Sequence, residues 1–108
     1  MTLFVNQNAY FEFINNRKTI EGRVNLGFNK GIKEKSTYNL KYKDKHQLIE
    51  IIKIEKYDSL INMIDNVNLK KLLPYHFINS KEDAIKYYQK IYPRLWNREF
   101  LAIYVKMI

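Results

Sequence analysis

The segment 47–56 carries apolar residues on both phases of a β-strand, and this pattern constrains the fold most strongly. Leu48, Ile52 and Ile54 fall on one phase, and Ile49 and Ile51 fall on the other. A strand that is apolar on both faces must be covered on both sides, as in a closed or strongly curved sheet. The last segment, 99–108, alternates along its length and predicts a second core strand.

The first half of the chain predicts shorter strands around one helix. A strand is expected over 3–5, followed by a helix that Asn6 or Asn8 caps. The apolar positions of this helix are Tyr10, Phe11 and Ile14. Asn15 and Asn16 are expected to end it, because asparagine tolerates the left-handed backbone of a helix terminus. Strands over 18–24 and 38–42 follow, the second reached through a glycine-containing loop at 27–31.

The second half predicts helices before the final strand. Asp58 is expected to cap one helix, a short turn follows and ends at Pro74, and Ser80 opens a longer helix that Pro93 closes. With strands at both ends, this order predicts an α+β fold with one mixed, barrel-like sheet and a few short flanking helices. No linker or repeat divides the 108 residues, so a single domain over 1–108 is expected.

Composition excludes several classes of function. The chain has no cysteine and two histidines, so disulfides, thiol catalysis and cysteine-based zinc sites are excluded, and we expect no metal and no cofactor. The longest apolar run, 100–105, is far too short to span a membrane, and no basic segment precedes the short apolar N-terminus. These features predict a soluble cytoplasmic protein without a membrane partner. A net charge of +8 favours a polyanionic partner, either RNA or an acidic protein.

The segment 16–23 groups three charges at a predicted junction between helix and strand. Glu21 and Arg23 share a face of an extended strand, and Lys18 at the turn can approach them. The two cations could bind a phosphate while the carboxylate accepts from a base or holds the lysine. The alternative is a surface ion pair between Glu21 and Arg23, worth about 0–1 kcal/mol.

This segment resembles the Gly-x-Lys-x-x-Glu-x-Arg signature of ASCH domains, small members of the PUA-like superfamily. The resemblance covers essentially the whole chain, including the lysine-rich hairpin, the strand ending in Tyr57, the Leu72-Leu73-Pro74 turn, the helix ending in Tyr92 and the last strand. It implies a PUA-like β-barrel with a cleft, lined by Lys18, Glu21 and Arg23, that contacts RNA or a nucleotide. Asparagine replaces the signature glycine at position 16 and can adopt the same turn.

The resemblance also raises the question of catalysis. Some relatives of this fold hydrolyse N4-acetylcytidine with a lysine base and a threonine three residues later. Lys18 matches the lysine, but Glu21 stands at the nucleophile position, and Thr19 is only one residue after the lysine. Other ASCH proteins are ribonucleases, for which Lys18, Glu21 and a nearby tyrosine could act as acid and base. A hydrolase on RNA or a modified nucleoside therefore stays open beside a binding function.

Other residues are weaker candidates for a nucleic-acid surface. The resemblance predicts Tyr57 and Tyr92 near the cleft, and Arg98 is a candidate phosphate ligand beside Trp96. Six lysines over 30–45 are interleaved with Tyr38 and Tyr42. The lysines could follow a phosphate backbone while the tyrosine rings stack on unpaired bases, or the lysines could simply protect a sheet edge from pairing with another sheet. A tryptophan in such a loop more often plugs one end of a barrel, which is the favoured interpretation of Trp96, and a lone His76 is more often structural than catalytic.

Overall fold

A five-stranded mixed sheet organises the chain, and the computed structural model describes residues 1–108. The elements are β1 (Thr2–Phe4), α1 (Gln7–Ile14), β2 (Ile20–Val24), a 3-10 helix (Gly27–Gly31), β3 (Ser36–Tyr42), β4 (Lys45–Tyr57), α2 (Leu60–Asn66), α3 (Leu69–Leu72), α4 (Lys81–Ile91) and β5 (Phe100–Met107). None of the helices is both long enough and apolar enough to cross a membrane.

The strands follow the order β1-β3-β4-β5-β2. β1 runs parallel to β3, and every other neighbouring pair is antiparallel. A β-bulge between Ile51 and Lys53 interrupts the pairing of β4 with β5, and bulges of this kind increase the local bend of a sheet. The sheet curls but stays open between its edge strands β1 and β2, so it forms a half-barrel, which is consistent with the mixed, barrel-like sheet that the sequence predicts.

Two hydrophobic clusters cover opposite faces of the sheet, and β5 contributes to both. Leu101, Ile103 and Val105 join the cluster beneath α1, whereas Phe100 and Ala102 join the cluster against α2, α3 and α4. β5 pairs with β4 on one side and β2 on the other. The cover on both faces predicted for 47–56 was therefore wrong for that segment: in β4 Ile49 and Ile51 are buried, but Leu48 and Ile52 are about half exposed, and Ile52 lies at the bulge.

The helices begin and end near the predicted positions, with two corrections. Asn6 caps α1 by accepting from the Ala9 N–H at 2.9 Å, but Ser59 and not Asp58 caps α2. In α1 the buried residues are Ala9, Tyr10 and Phe13, and Phe11 is exposed. The buried face of α1 is therefore rotated from the predicted one, because Phe13 faces the core where the sequence predicted Ile14.

Asparagine does take the left-handed backbone after α1. Asn16 has a φ of 60°, and its N–H donates to the Phe13 carbonyl at 3.0 Å. The chain therefore reverses within two residues and delivers Lys18 to the start of β2. At the other end of the chain, Ser80 caps α4 as predicted, and the Asp83 carboxylate accepts from the Asn79 N–H at 2.9 Å.

Candidate functional site

A cleft of about 380 Å³ lies where the edge strands β1 and β2 approach α1 and α4. Its floor is formed by Lys18, Glu21 and Arg23, which we call the charged cluster. Glu21 and Arg23 alternate with buried residues of β2, so both side chains leave the same face of the strand. The turn at Asn16 adds Lys18 to that face.

The Lys18 ammonium is buried, with its side chain only 1% exposed. It donates to the backbone carbonyls of Ile20, at 2.6 Å, and Leu72, and it lies 3.4 Å from Oε1 of Glu21. An ammonium carries three N–H donors, so each has an acceptor within the protein. Burial lowers the pKa of Lys18 below its ordinary value, and the nearby Glu21 charge opposes that effect.

Glu21 lies between the two cations. Its Oε2 accepts from Nε of Arg23 at 2.8 Å, and its Oε1 faces Lys18. Burial alone would raise the pKa of Glu21, but the charges of Arg23 and Lys18 outweigh it and hold the pKa below its ordinary value. The carboxylate is therefore ionised at neutral pH.

Arg23 connects the two open edges of the sheet. One terminal nitrogen of its guanidinium donates to the Phe4 carbonyl of β1, and the other lies 3.5 Å from Oδ1 of Asn29. A guanidinium has five N–H donors, so two remain without a protein acceptor after these contacts and the Glu21 bond. Burial would lower the pKa of Arg23, but Glu21 outweighs burial and raises it, so the charge is permanent.

Tyrosines form the wall of the cleft above the charged cluster. Tyr75, Tyr87, Tyr88 and Tyr92 all line it. The rings of Tyr75 and Tyr87 have centroids 5.7 Å apart, and those of Tyr87 and Tyr88 are 5.6 Å apart. Burial raises the pKa of all four hydroxyls, which therefore stay protonated and able to donate at neutral pH.

Gly22 allows α4 to approach β2 closely enough to complete this wall. A Cβ built on Gly22 would overlap the Tyr88 hydroxyl and lie 2.9 Å from its Cζ. No real Cβ approaches ring atoms so closely, so only glycine fits without a shift of Tyr88. The sequence analysis did not identify four cleft residues: Gly22, Tyr75, Tyr87 and Tyr88. Two features of the sequence could have indicated them, namely the glycine inside the charged segment and the adjacent pair Tyr87-Tyr88.

The structure brings together four of the six predicted binding residues. Lys18, Glu21, Arg23 and Tyr92 line the cleft, and Tyr57 and Arg98 do not. Tyr57 lies on β4, where its hydroxyl donates to Glu55 at 2.8 Å. Arg98 is exposed in the turn before β5.

The remaining sequence candidates lie away from the cleft. Tyr38 is only 3% exposed in the core, so its ring cannot stack on a base. None of the lysines over 30–45 lines the cleft. Trp96 is 37% exposed, which does not fit a plug at a barrel end, and His76 is an exposed residue with its ring edge-on to Phe77.

The pair of Tyr57 and Glu55 predicts an alkaline loss of stability. Burial, together with the hydrogen bond to Glu55, raises the pKa of Tyr57 to about 12. Because the folded pKa lies above the ordinary value of 10, this contribution is present below pH 10 and is lost as the pH rises towards about 12. Tyrosinate absorbance, compared between the wild type and Tyr57→Phe, measures this pKa. Glu55→Gln should lower it, and an unchanged value would contradict the assignment.

The fold and cleft define a small α+β protein whose half-barrel sheet carries a buried Lys-Glu-Arg cluster beneath an aromatic wall. The crystal structure of hypothetical protein PH0355 matches it with a TM-score of 0.83 and 20% identity, over 97% of this chain and 95% of that one. The solution structure of protein PF0455 from Pyrococcus furiosus matches with a TM-score of 0.74 and 23% identity, over 100% and 98%. These similarities establish a shared fold. No protein-family model and no curated protein matches the chain.

Proposed function

We propose that the chain is an ASCH-domain protein of the PUA-like superfamily and that its cleft recognises RNA or a nucleotide. The element order, the curled sheet and the position of the charged cluster at the start of β2 support this assignment. The observation that carries the proposal is the charged cluster on the floor of a cleft whose wall is aromatic.

The chemistry of the cleft suits a planar, anionic ligand. Two cations and one carboxylate give the charged cluster a net charge of +1. The two free N–H groups of Arg23 can donate to phosphate oxygens, and charge-assisted bonds of this kind are the stronger ones. Lys18 adds positive charge beneath the cleft, while its N–H groups remain bonded to backbone carbonyls and to Glu21. Tyrosine rings such as Tyr87 offer a stacking surface for a base.

A hydrolase using the same residues is less well supported. The Lys18 ammonium would have to lose a proton and give up a hydrogen bond to a backbone carbonyl before it could act as a base, and both oxygens of Glu21 are engaged by cations. Thr19 borders a different depression, beside Tyr104 and Lys106, and does not line the cleft. We therefore propose recognition and not turnover.

Binding by Arg23 is expected to dominate affinity. Arg23→Gln should weaken binding of a fluorescent single-stranded RNA and of the four nucleoside 5′-monophosphates by about 10-fold to 100-fold, since a hydrogen bond to a charged group contributes about 1.5–3 kcal/mol. Fluorescence polarisation at near-physiological salt measures the RNA, and competition measures the monophosphates. Mass spectrometry of the same mixtures would reveal any product.

Arg98→Gln is the matched control, because it removes the same charge from an exposed position outside the cleft. It should change affinity by less than about twofold at this salt concentration. Equal losses from Arg23→Gln and Arg98→Gln would indicate binding by overall charge and would overturn the cleft assignment. Product that disappears in Glu21→Gln would favour the hydrolase.

A further inference from the structure

We infer that the cleft holds one nucleotide of a longer single strand, whose neighbouring nucleotides lie over Phe77 and along a basic groove beyond Tyr75. This inference rests on the proposed function and adds the class of ligand: an extended single-stranded nucleic acid and not a free nucleotide. Two independent features outside the cleft support it.

The first feature is an aromatic stack that runs from the cleft wall to the surface. Tyr75 lines the cleft, and its ring stacks on Phe77 with centroids 5.4 Å apart and planes 18° apart. Tyr75 is 8% exposed, whereas Phe77 is 45% exposed. Phe77 therefore presents much of its ring to solvent beside the cleft, where an unpaired base can stack on it.

The second feature is a groove of about 550 Å³ that shares Tyr75 with the cleft. Arg17, Lys70 and Lys71 line it, and no aspartate or glutamate does. Arg17 is paired with Glu12, whereas the two lysines are exposed on α3 and belong to none of the ion pairs. This basic groove therefore offers cations to an anionic backbone that leaves the cleft past Tyr75.

The combination suits single-stranded nucleic acid in particular. Proteins that bind single strands combine a positive groove that follows the phosphates with aromatic rings that stack on successive bases. A free nucleotide in the cleft would use neither Phe77 nor the lysines of α3. Affinity should therefore rise with strand length, and the residues outside the cleft should contribute only to the longer ligand.

The test compares octa-uridylate and octa-adenylate with UMP and AMP on the same variants. Phe77→Ala should weaken octamer binding by about 5-fold to 100-fold, as expected for one base–aromatic stack, and leave monophosphate binding within about twofold. Lys70→Gln with Lys71→Gln should weaken the octamers and reduce the slope of log K against log salt by about 0.7 for each phosphate that the lysines no longer neutralise. Arg23→Gln should weaken both kinds of ligand.

Matched controls separate local effects from general ones. Phe28→Ala removes an exposed phenylalanine elsewhere, and Lys33→Gln with Lys45→Gln removes two exposed lysines from the region 30–45. Phe77→Leu keeps apolar packing but removes the ring, and thermal unfolding confirms that each variant is folded. This inference would be overturned if the octamers bound no more tightly than the monophosphates. It would also be overturned if the control variants weakened octamer binding as much as the test variants, and in either case the cleft assignment would remain. If Arg23→Gln left the affinity for both the octamers and the monophosphates unchanged, the proposed function itself would be overturned.

Discussion

Lys18→Met should destabilise the protein by about 3–5 kcal/mol, the range measured when one partner of a buried ion pair is removed. Methionine fills a similar volume but donates no hydrogen bond. The carbonyls of Ile20 and Leu72 would lose their donor, and Glu21 would lose one of its two cations. Unfolding by urea, monitored by circular dichroism, measures the change.

Lys81→Met is the matched control for this prediction. Lys81 pairs with Asp65 at 3.1 Å, but both side chains are at least half exposed. Water screens such a pair, so its loss should cost less than about 1 kcal/mol. If Lys18→Met were no more harmful than Lys81→Met, the hydrogen bonds of the buried ammonium would be contributing nothing to stability.

Gly22→Ala should destabilise the protein by about 1–3 kcal/mol, the usual cost of inserting a methyl group into a packed core. The added Cβ would overlap the Tyr88 hydroxyl and approach Met63 at 3.1 Å, so the Tyr88 side chain, alone or together with α4, would have to shift away from β2. The same shift would move Tyr88 out of the cleft wall. The free energy of unfolding and the affinity for single-stranded RNA should therefore both decrease in this variant.

Two further variants make the Gly22 prediction specific. Tyr88→Phe removes the hydroxyl that the new Cβ would overlap, so the double variant should recover part of the stability. Gly31→Ala adds a methyl group where no atom lies within 4 Å, and it should be nearly neutral or slightly stabilising. Additive effects of Gly22→Ala and Tyr88→Phe would show that the two residues do not meet as described.

The charged cluster has two roles in this molecule. Lys18 holds the end of α3 against the start of β2, and Arg23 spans the opening between β2 and β1 through the Phe4 carbonyl. Each residue thus helps to shape the cleft that it lines. A loss of binding is informative only alongside a stability measurement, and Arg23, with two free donors, is the better probe of recognition.

Local patterns predicted much of this fold because their causes are local. The strands, the turn at Asn16 and the cap at Ser80 follow from alternation, backbone tolerance and side-chain hydrogen bonds within a few residues. Cover on both faces was predicted for 47–56 and was wrong there, because apolar residues on both phases do not show which face a distant helix will cover; β5 is the strand buried on both faces. The rotation of α1 was missed because three apolar residues are compatible with more than one inward face.

The charged cluster could be predicted because its three members lie within six residues of one another, and the preceding turn and strand phase bring them together. The aromatic wall could not, because Tyr75 and Tyr87 reach the cleft from segments that are distant in the chain from β2. The opening of the sheet, the role of Gly22 and the exclusion of Tyr57 also depend on how α4 and β4 pack. The order of amino acids thus specifies the elements and the charged segment, because these depend on neighbouring residues. Which side chains share the cleft is set by the packing of distant segments, and no local pattern specifies that packing.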